Sequence, residues 1–276
     1  MPNWVMNRVV VFGDKDELKR FKEKARKETE DGPAMPFSFD ALVPMPREMK
    51  VEESGSTGAE TDLLVYLSDF YELEYEDFKD ELESLLLADT PDFFDAIYTD
   101  DSLKEDYETS RKQYFETMAE KEAEYAVRYG NGKKKAANIL KYGSSDWYTW
   151  HNRNWGTKWD ACNGEMNMDR DDLLCYSFLT AWDAPLPVIA KAAEDYPDLM
   201  LCIAVADEDI GNNLGFIEVR GDRAQFMDMR KLTPEECERY ARCVWDGTLP
   251  DEKLAKKLIR GAIFVQGVLA CPDMID

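Results

Sequence analysis

Apolar residues fill both parities of WVMNRVVVF, from Trp4 to Phe12, so the segment predicts a strand covered on both faces. Gly13 breaks it. Asp14 is placed to cap a helix over about residues 15–27, with Leu18, Phe21 and Ala25 along one face. A strand, a tight turn and an amphipathic helix make the first half of a βαβ unit. FSFDALVPMP, from Phe37 to Pro46, predicts a short extended piece stopped by Pro44 and Pro46. ESGSTGAE then reads as a flexible hinge. From about Thr61 to Asn138 apolar residues recur at helical spacing, in LLVYLSDFYELEYEDFKDELESLLL and again in YETSRKQYFETMAEKEAEYAVRYG. Pro91 separates the runs. Gly130 and Gly132 are expected to end the second, with KKKAANILKYG as a short coda.

Strand patterns then resume. KWDAC and LLCYSFLTAW predict two strands joined by the polar loop NGEMNMDRDD. Pro185 opens a helix in LPVIAKAAEDYP, with Val188, Ile189, Ala192 and Ala193 facing inward. LMLCIAVA predicts another buried strand, and Gly221-Asp222 between two alternating runs predicts a hairpin. Thr233-Pro234-Glu235-Glu236 has the composition of a capping box, and a last helix is expected from about Asp251 to Val265. Strand, helix, strand, strand, helix, strand is the ferredoxin-like order. The pattern therefore predicts an α+β protein. Residues 1–50 and 146–276 form a ferredoxin-like βαββαβ core with a C-terminal hairpin and helices. Residues 51–145 form an acidic helical insertion.

Charge sharpens this division. The 276-residue chain carries a formal net charge of −23. Residues 51–130 hold 24 acidic and 6 basic side chains, a net of −18, whereas residues 1–50 come to +1 and residues 131–276 to −6. Nucleic acid and anionic membrane surfaces are disfavoured as direct partners, because both are bound through clustered Lys and Arg. A basic protein, including one that normally binds nucleic acid, fits better. Within the acidic segment Tyr71, Glu72, Glu74, Tyr75, Glu76 and Asp77 interleave aromatic rings with carboxylates, as do Asp92, Phe93, Phe94 and Asp95. Such a surface suits a basic groove, although a solvated outer face that keeps the chain soluble has the same composition.

Chemistry is harder to find. The cysteines at 162, 175, 202, 237, 243 and 271 show no CxxC spacing, and reduced thiols in a cytoplasmic protein are expected. No apolar run reaches the roughly 20 residues a membrane span needs. The run WYTWHNRNWGTKWD, from Trp147 to Asp160, contains the single histidine, His151. The four-residue spacing of His151, Trp155 and Trp159 puts them on one side of either a helix or a strand, and Gly156 with Thr157 favours a strand or an irregular segment. Together with Asp160 and Trp182 they outline an aromatic surface for a ligand, or a packed core with Arg153 or Lys158 lying over an indole. A lone histidine near Asp160 and Cys162 lacks the accompanying signature of a hydrolase. Asp207, Asp209, Asn213 and Glu218 follow a calcium-loop spacing but lack its glycine and its flanking helices. No catalytic residue, metal or cofactor is assigned.

The segments PNWVMNRVVVFG, FSFDALVPMP, NWGTKWDA, YSFLTAWDAPLPVI and DYPDLMLCIAV, in that order, resemble the YubB ferredoxin-like family carried by plasmids and phages. The resemblance covers most of residues 1–50 and 146–215. It implies a ferredoxin-like fold and a setting on mobile elements, with no catalytic residues to carry over and no iron–sulfur cluster. The family pattern usually has a cysteine where this chain has Val5, which argues against a thiol or metal role there.

The expected function is that of a non-catalytic mobile-element accessory protein. It binds and modulates a host protein through the acidic segment, as an anti-defence inhibitor or through a DNA-mimic-like surface. The alternative is a small-ligand or nucleotide-binding domain, enzymatic or not, using the tryptophan-rich surface around His151. Self-association is a third reading.

Overall fold

A computed structural model describes residues 2–30, 32–51, 122–227 and 229–248, together with residues 108, 109, 112, 251 and 254. The chain divides into two compact units, residues 1–44 with 151–276 and residues 45–150.

The first unit is built on a six-stranded antiparallel sheet of order β2-β3-β1-β4-β5-β6. Its strands are β1 (Trp4–Phe12), β2 (Cys162–Asp169), β3 (Leu173–Ala181), β4 (Met200–Asp207), β5 (Gly215–Arg220) and β6 (Arg223–Phe226). The four-strand arrangement β2-β3-β1-β4, with β3 between β1 and β2 and β1 between β3 and β4, is the ferredoxin-like topology. The β5–β6 hairpin, turned at Gly221-Asp222, extends the sheet beyond β4. Helix α1 (Lys15–Ala25) is capped by Asp14 and buries Leu18, Phe21 and Ala25, as its apolar spacing predicts. Helix α5 (Leu186–Asp195) buries Val188, Ile189, Ala192 and Ala193.

Both faces of the sheet are covered, which explains why β1, β3 and β4 are apolar at nearly every position. One face is aromatic. Phe37 stacks on Phe178 at 5.0 Å, Phe39 meets Phe178 at 5.5 Å, and Phe21 meets Tyr196 edge-on at 5.3 Å. The other face packs Val10, Cys175, Cys202, Ala204 and Phe216 against Tyr240, Ala241 and Val244 of α6 (Pro234–Asp246). Helix α6 starts in the expected capping box, Thr233 Oγ1 accepting from the Glu236 N–H and the Glu236 carboxylate accepting from the Thr233 N–H.

Several segments differ from their local patterns. FSFDALVPMP is not extended: Ser38 caps a short helix α2 (Phe39–Leu42), because its apolar residues Phe39 and Leu42 both reach the core. The polar stretch CNGEMNMD is strand β2 rather than a loop. It lies at the edge of the sheet, where solvent on one side tolerates polar residues and register shifts. KWDAC is not a strand; only its last residue, Cys162, enters β2. The segment through His151 is helical, α4 (Trp147–Asn154), rather than strand-like.

In the second unit α3 (Glu122–Tyr142) runs through Gly130 and Gly132 instead of stopping there. Each interior glycine costs about 1 kcal/mol. The following KKKAANILKY favours helix, and buried Asn138 ties its end by donating to the carbonyls of Glu48 and Ser145 at 2.9 and 3.0 Å. Asp146 and Thr149 cap each other at the start of α4. Among the described residues no helix is long and apolar enough to cross a membrane.

Candidate functional site: an aromatic face at the end of the sheet

Within the first unit His151, Trp155 and Asp160 are held by internal packing and hydrogen bonds, whereas Trp159 and Trp182 stack on each other nearer the surface.

His151 and Trp155 stack at 3.7 Å with planes 17° apart, and Trp155 is only 3% exposed. The Trp155 indole N–H donates to the Val43 carbonyl at 2.9 Å and its ring meets Phe39. His151 Nδ1 lies 2.7 Å from the Lys158 carbonyl. A carbonyl only accepts, so the proton is on Nδ1. Burial is the largest influence on His151 and pushes its pKa down from 6.5. Asp160 is also occupied internally. Its carboxylate accepts from Ser38 Oγ at 2.7 Å and from the Phe39 and Ala161 N–H groups, fixing the start of α2. These three residues are framework.

Trp159 is half-buried and Trp182 is exposed. Gly156 makes the turn between the two groups. It has φ +81, and a Cβ there would lie 2.6 Å from Pro187 Cδ and 3.0 Å from the Ala184 carbonyl. Glycine is needed both for the left-handed backbone and for the close approach of the α5 entry. Thr157 then donates to the Ala181 carbonyl at 2.8 Å, so Lys158 and Trp159 emerge beside the end of β3. The Trp159 and Trp182 rings lie 6.2 Å apart with planes inclined by 27°. Trp4 adds a third ring, 6.0 Å from Trp159. Lys158 Nζ sits 5.1 Å from the centroids of both Trp159 and Trp182. Such a cation–π contact is worth about 0.5–1 kcal/mol at an exposed site.

Trp182 is 43% exposed and has φ +70, a backbone region that bulky side chains avoid. The strain is held from both sides. The Trp182 N–H donates to the Asn3 carbonyl at 2.9 Å, and its carbonyl accepts from Asn213 Nδ2 at 2.8 Å. Asn213 is in turn bound by Asp207 Oδ2 at 2.8 Å. Beneath the face Asn7 donates to Thr180 Oγ1, whose hydroxyl donates to the Asp183 carbonyl. Trp182 thus combines exposure with a left-handed backbone held by hydrogen bonds at both its N–H and its carbonyl.

Trp4 was not singled out by sequence patterning. The signal was topological: with β1 antiparallel to β3, Trp4 pairs with Ala181, next to Trp182.

Other candidate chemistry is absorbed by the framework. The thiols of Cys175 and Cys202 are core groups, and burial pushes the Cys202 and Cys243 pKa values up. Asp207 and Asp209 shape the β4–β5 connection, Asp207 Oδ1 accepting from the Asp209 N–H. Among the described residues no three of His, Cys, Asp and Glu group as metal ligands. Tyr71, Glu72, Glu74, Tyr75, Glu76, Asp77, Asp92, Phe93, Phe94 and Asp95 lie outside the described residues.

No curated protein matches the chain. A crystal structure of a protein api92 from Yersinia pseudotuberculosis shares 12% identity, with 83% of this chain and 99% of that chain covered, at a TM-score of 0.36. The family model described as the ferredoxin-like domain in Api92-like protein matches residues 154–242, from the last residue of α4 through the strands β2 to β6 and into α6.

Proposed function

We propose that this chain is a non-catalytic accessory protein that binds and modulates a host protein through the acidic, aromatic segment at residues 51–145. The observation that carries the reading is the charge distribution, in which residues 51–130 hold a net −18 of the chain's −23. Carboxylates interleaved with rings from Tyr71 to Asp77 and from Asp92 to Asp95 complement a Lys- and Arg-lined groove. The commitment of His151 and Asp160 to packing and hydrogen bonds of the framework supports a binding role over a catalytic one. Kinship with the plasmid- and phage-carried YubB proteins belongs to this reading. Blockade of a cytoplasmic, DNA-binding defence or repair factor is its concrete form.

The test compares the native chain with a full-length variant carrying Glu72→Gln, Glu74→Gln, Glu76→Gln and Asp77→Asn, each immobilised and exposed to bacterial lysate at low and moderate salt. The native chain is expected to retain a stoichiometric partner that salt weakens and the variant loses. A partner retained equally by both, or by neither, would overturn the reading.

Trp182 favours a second reading, ligand binding on the face it forms with Trp159 and Trp4. It is exposed, stacked and strained at once.

A further inference from the structure

The aromatic face already carries a cation. Lys158 Nζ is 5.1 Å from each of the two ring centroids, which are themselves 6.2 Å apart, so one ammonium contacts two π-systems together. The faces of indole rings carry negative potential and attract such a group. The surrounding polar groups have the same preference. Asp183 follows Trp182 in the chain and is exposed, although one of its oxygens also accepts from the Ala184 N–H. Glu208 Oε1 accepts from the Trp4 N–H, and Asp207 holds the Asn213 amide that binds the Trp182 carbonyl. A phosphate-bearing ligand would meet the exposed carboxylates of Asp183 and Glu208, whereas a cation meets complementary charge.

We propose that the Trp159–Trp182 pair is a recognition site for a basic side chain of a protein partner, and that Lys158 is its internal occupant, displaced when the partner's ammonium or guanidinium arrives. The proposal rests on reading this face as a binding surface and is independent of the acidic segment. Lys158 directly precedes Trp159, and its carbonyl is held by His151. The tether delivers its ammonium at high effective concentration, so it competes with any external cation. Its flexible stem lets the ammonium return to water without moving the backbone. Trp182 needs no rearrangement, because the bonds to Asn3 and Asn213 hold its backbone in place beforehand.

The test follows the indole N–H signals of the full-length protein by NMR, with those of Trp159 and Trp182 identified through Trp159→Phe and Trp182→Phe. The probes are tetramethylammonium chloride at constant ionic strength, tert-butanol as a neutral isostere, and adenosine monophosphate. Tetramethylammonium is expected to shift the two signals saturably while tert-butanol leaves them in place. Lys158→Gln is expected to tighten tetramethylammonium binding at least about threefold by removing the competitor. An equal response to tert-butanol, or an unchanged affinity in Lys158→Gln, would overturn the proposal. Saturation by the nucleotide without a response to tetramethylammonium would overturn the cation class and leave the face as a ligand site. Silence from every probe in both proteins would overturn the cation site and the second reading together.

Discussion

Trp182 and Trp155 are the same residue type put to opposite uses, and the backbone separates them. Trp155 ends a helical turn and buries its ring with its N–H satisfied. Trp182 sits at φ +70 immediately after β3, with its ring partly in water. A left-handed conformation costs a non-glycine residue about 1–2 kcal/mol. Trp182→Gly is therefore expected to be more stable than Trp182→Ala by about 1 kcal/mol in urea unfolding, since both lose the ring and only glycine relieves the backbone. Equal stabilities would show that the strain is not real. His151 makes a second residue-level prediction. Burial lowers its pKa from 6.5 against the raising influence of the Lys158 carbonyl, Asp160 and Asp40. The unfolded chain thus takes up a proton that the folded chain refuses as pH falls below 6.5. The stability that neutral His151 contributes is complete above that pH and is lost as pH falls toward the folded-state value. Between about pH 7.5 and about pH 5.5 the urea midpoint should fall further for the native chain than for His151→Gln. Read alone, the tryptophan-rich run admits both a ligand surface and a packed core with Lys158 over an indole. His151 and Trp155 take the packed role and Lys158 lies over Trp159, while the run does not show which rings stay near water. Its four-residue spacing is compatible with helix and strand, and Gly156 breaks the spacing where it would have mattered.

Helix α6 shows how an element draws on distant residues. Its start is local, with Thr233 and Glu236 closing the capping box. Its end is not. Arg8 of β1, 6% exposed, donates through Nε and Nη2 to the carbonyls of Val244 and Trp245. A buried guanidinium thereby meets the negative end of the helix and satisfies carbonyls that lack intrahelical partners. Gly247 has φ +70, and a Cβ there would lie 2.7 Å from Arg8 Nη2. Gly247→Ala therefore combines backbone strain with displacement of the Arg8 cap. A loss of about 2 kcal/mol or more is expected by chemical denaturation. A change below about 0.5 kcal/mol would mean that the cap is not needed. The same contrast separates legible elements from misread ones. Strands β1, β3 and β4, helices α1 and α5, and the β5–β6 hairpin follow from patterns within a few residues. Strand β2 and helix α2 do not. One is a polar edge whose ladder comes from β3, and the other is capped with help from Asp160, 121 residues away.

At the scale of the molecule, charge and fold are distributed separately. The acidic excess belongs to residues 51–130, while the aromatic face belongs to the ferredoxin-like unit. The salt-sensitive capture and the tetramethylammonium titration accordingly address two separate parts of the chain, and each can succeed or fail independently. The α+β class, the order of most strands and helices, and the asymmetry of charge follow from the chain read residue by residue. Periodicity, capping and turn chemistry act over a few positions, and charge needs no coordinates. Which tryptophans meet water was decided by long-range pairing. Antiparallel alignment of β1 with β3 sets Trp4 beside the Trp182 turn, and Thr157 ties Trp159 to the end of the same strand. The Gly156 turn separates buried Trp155 from half-buried Trp159. Burial of a side chain depends on what packs above it, and the residues that pack here lie more than a hundred positions apart in the chain.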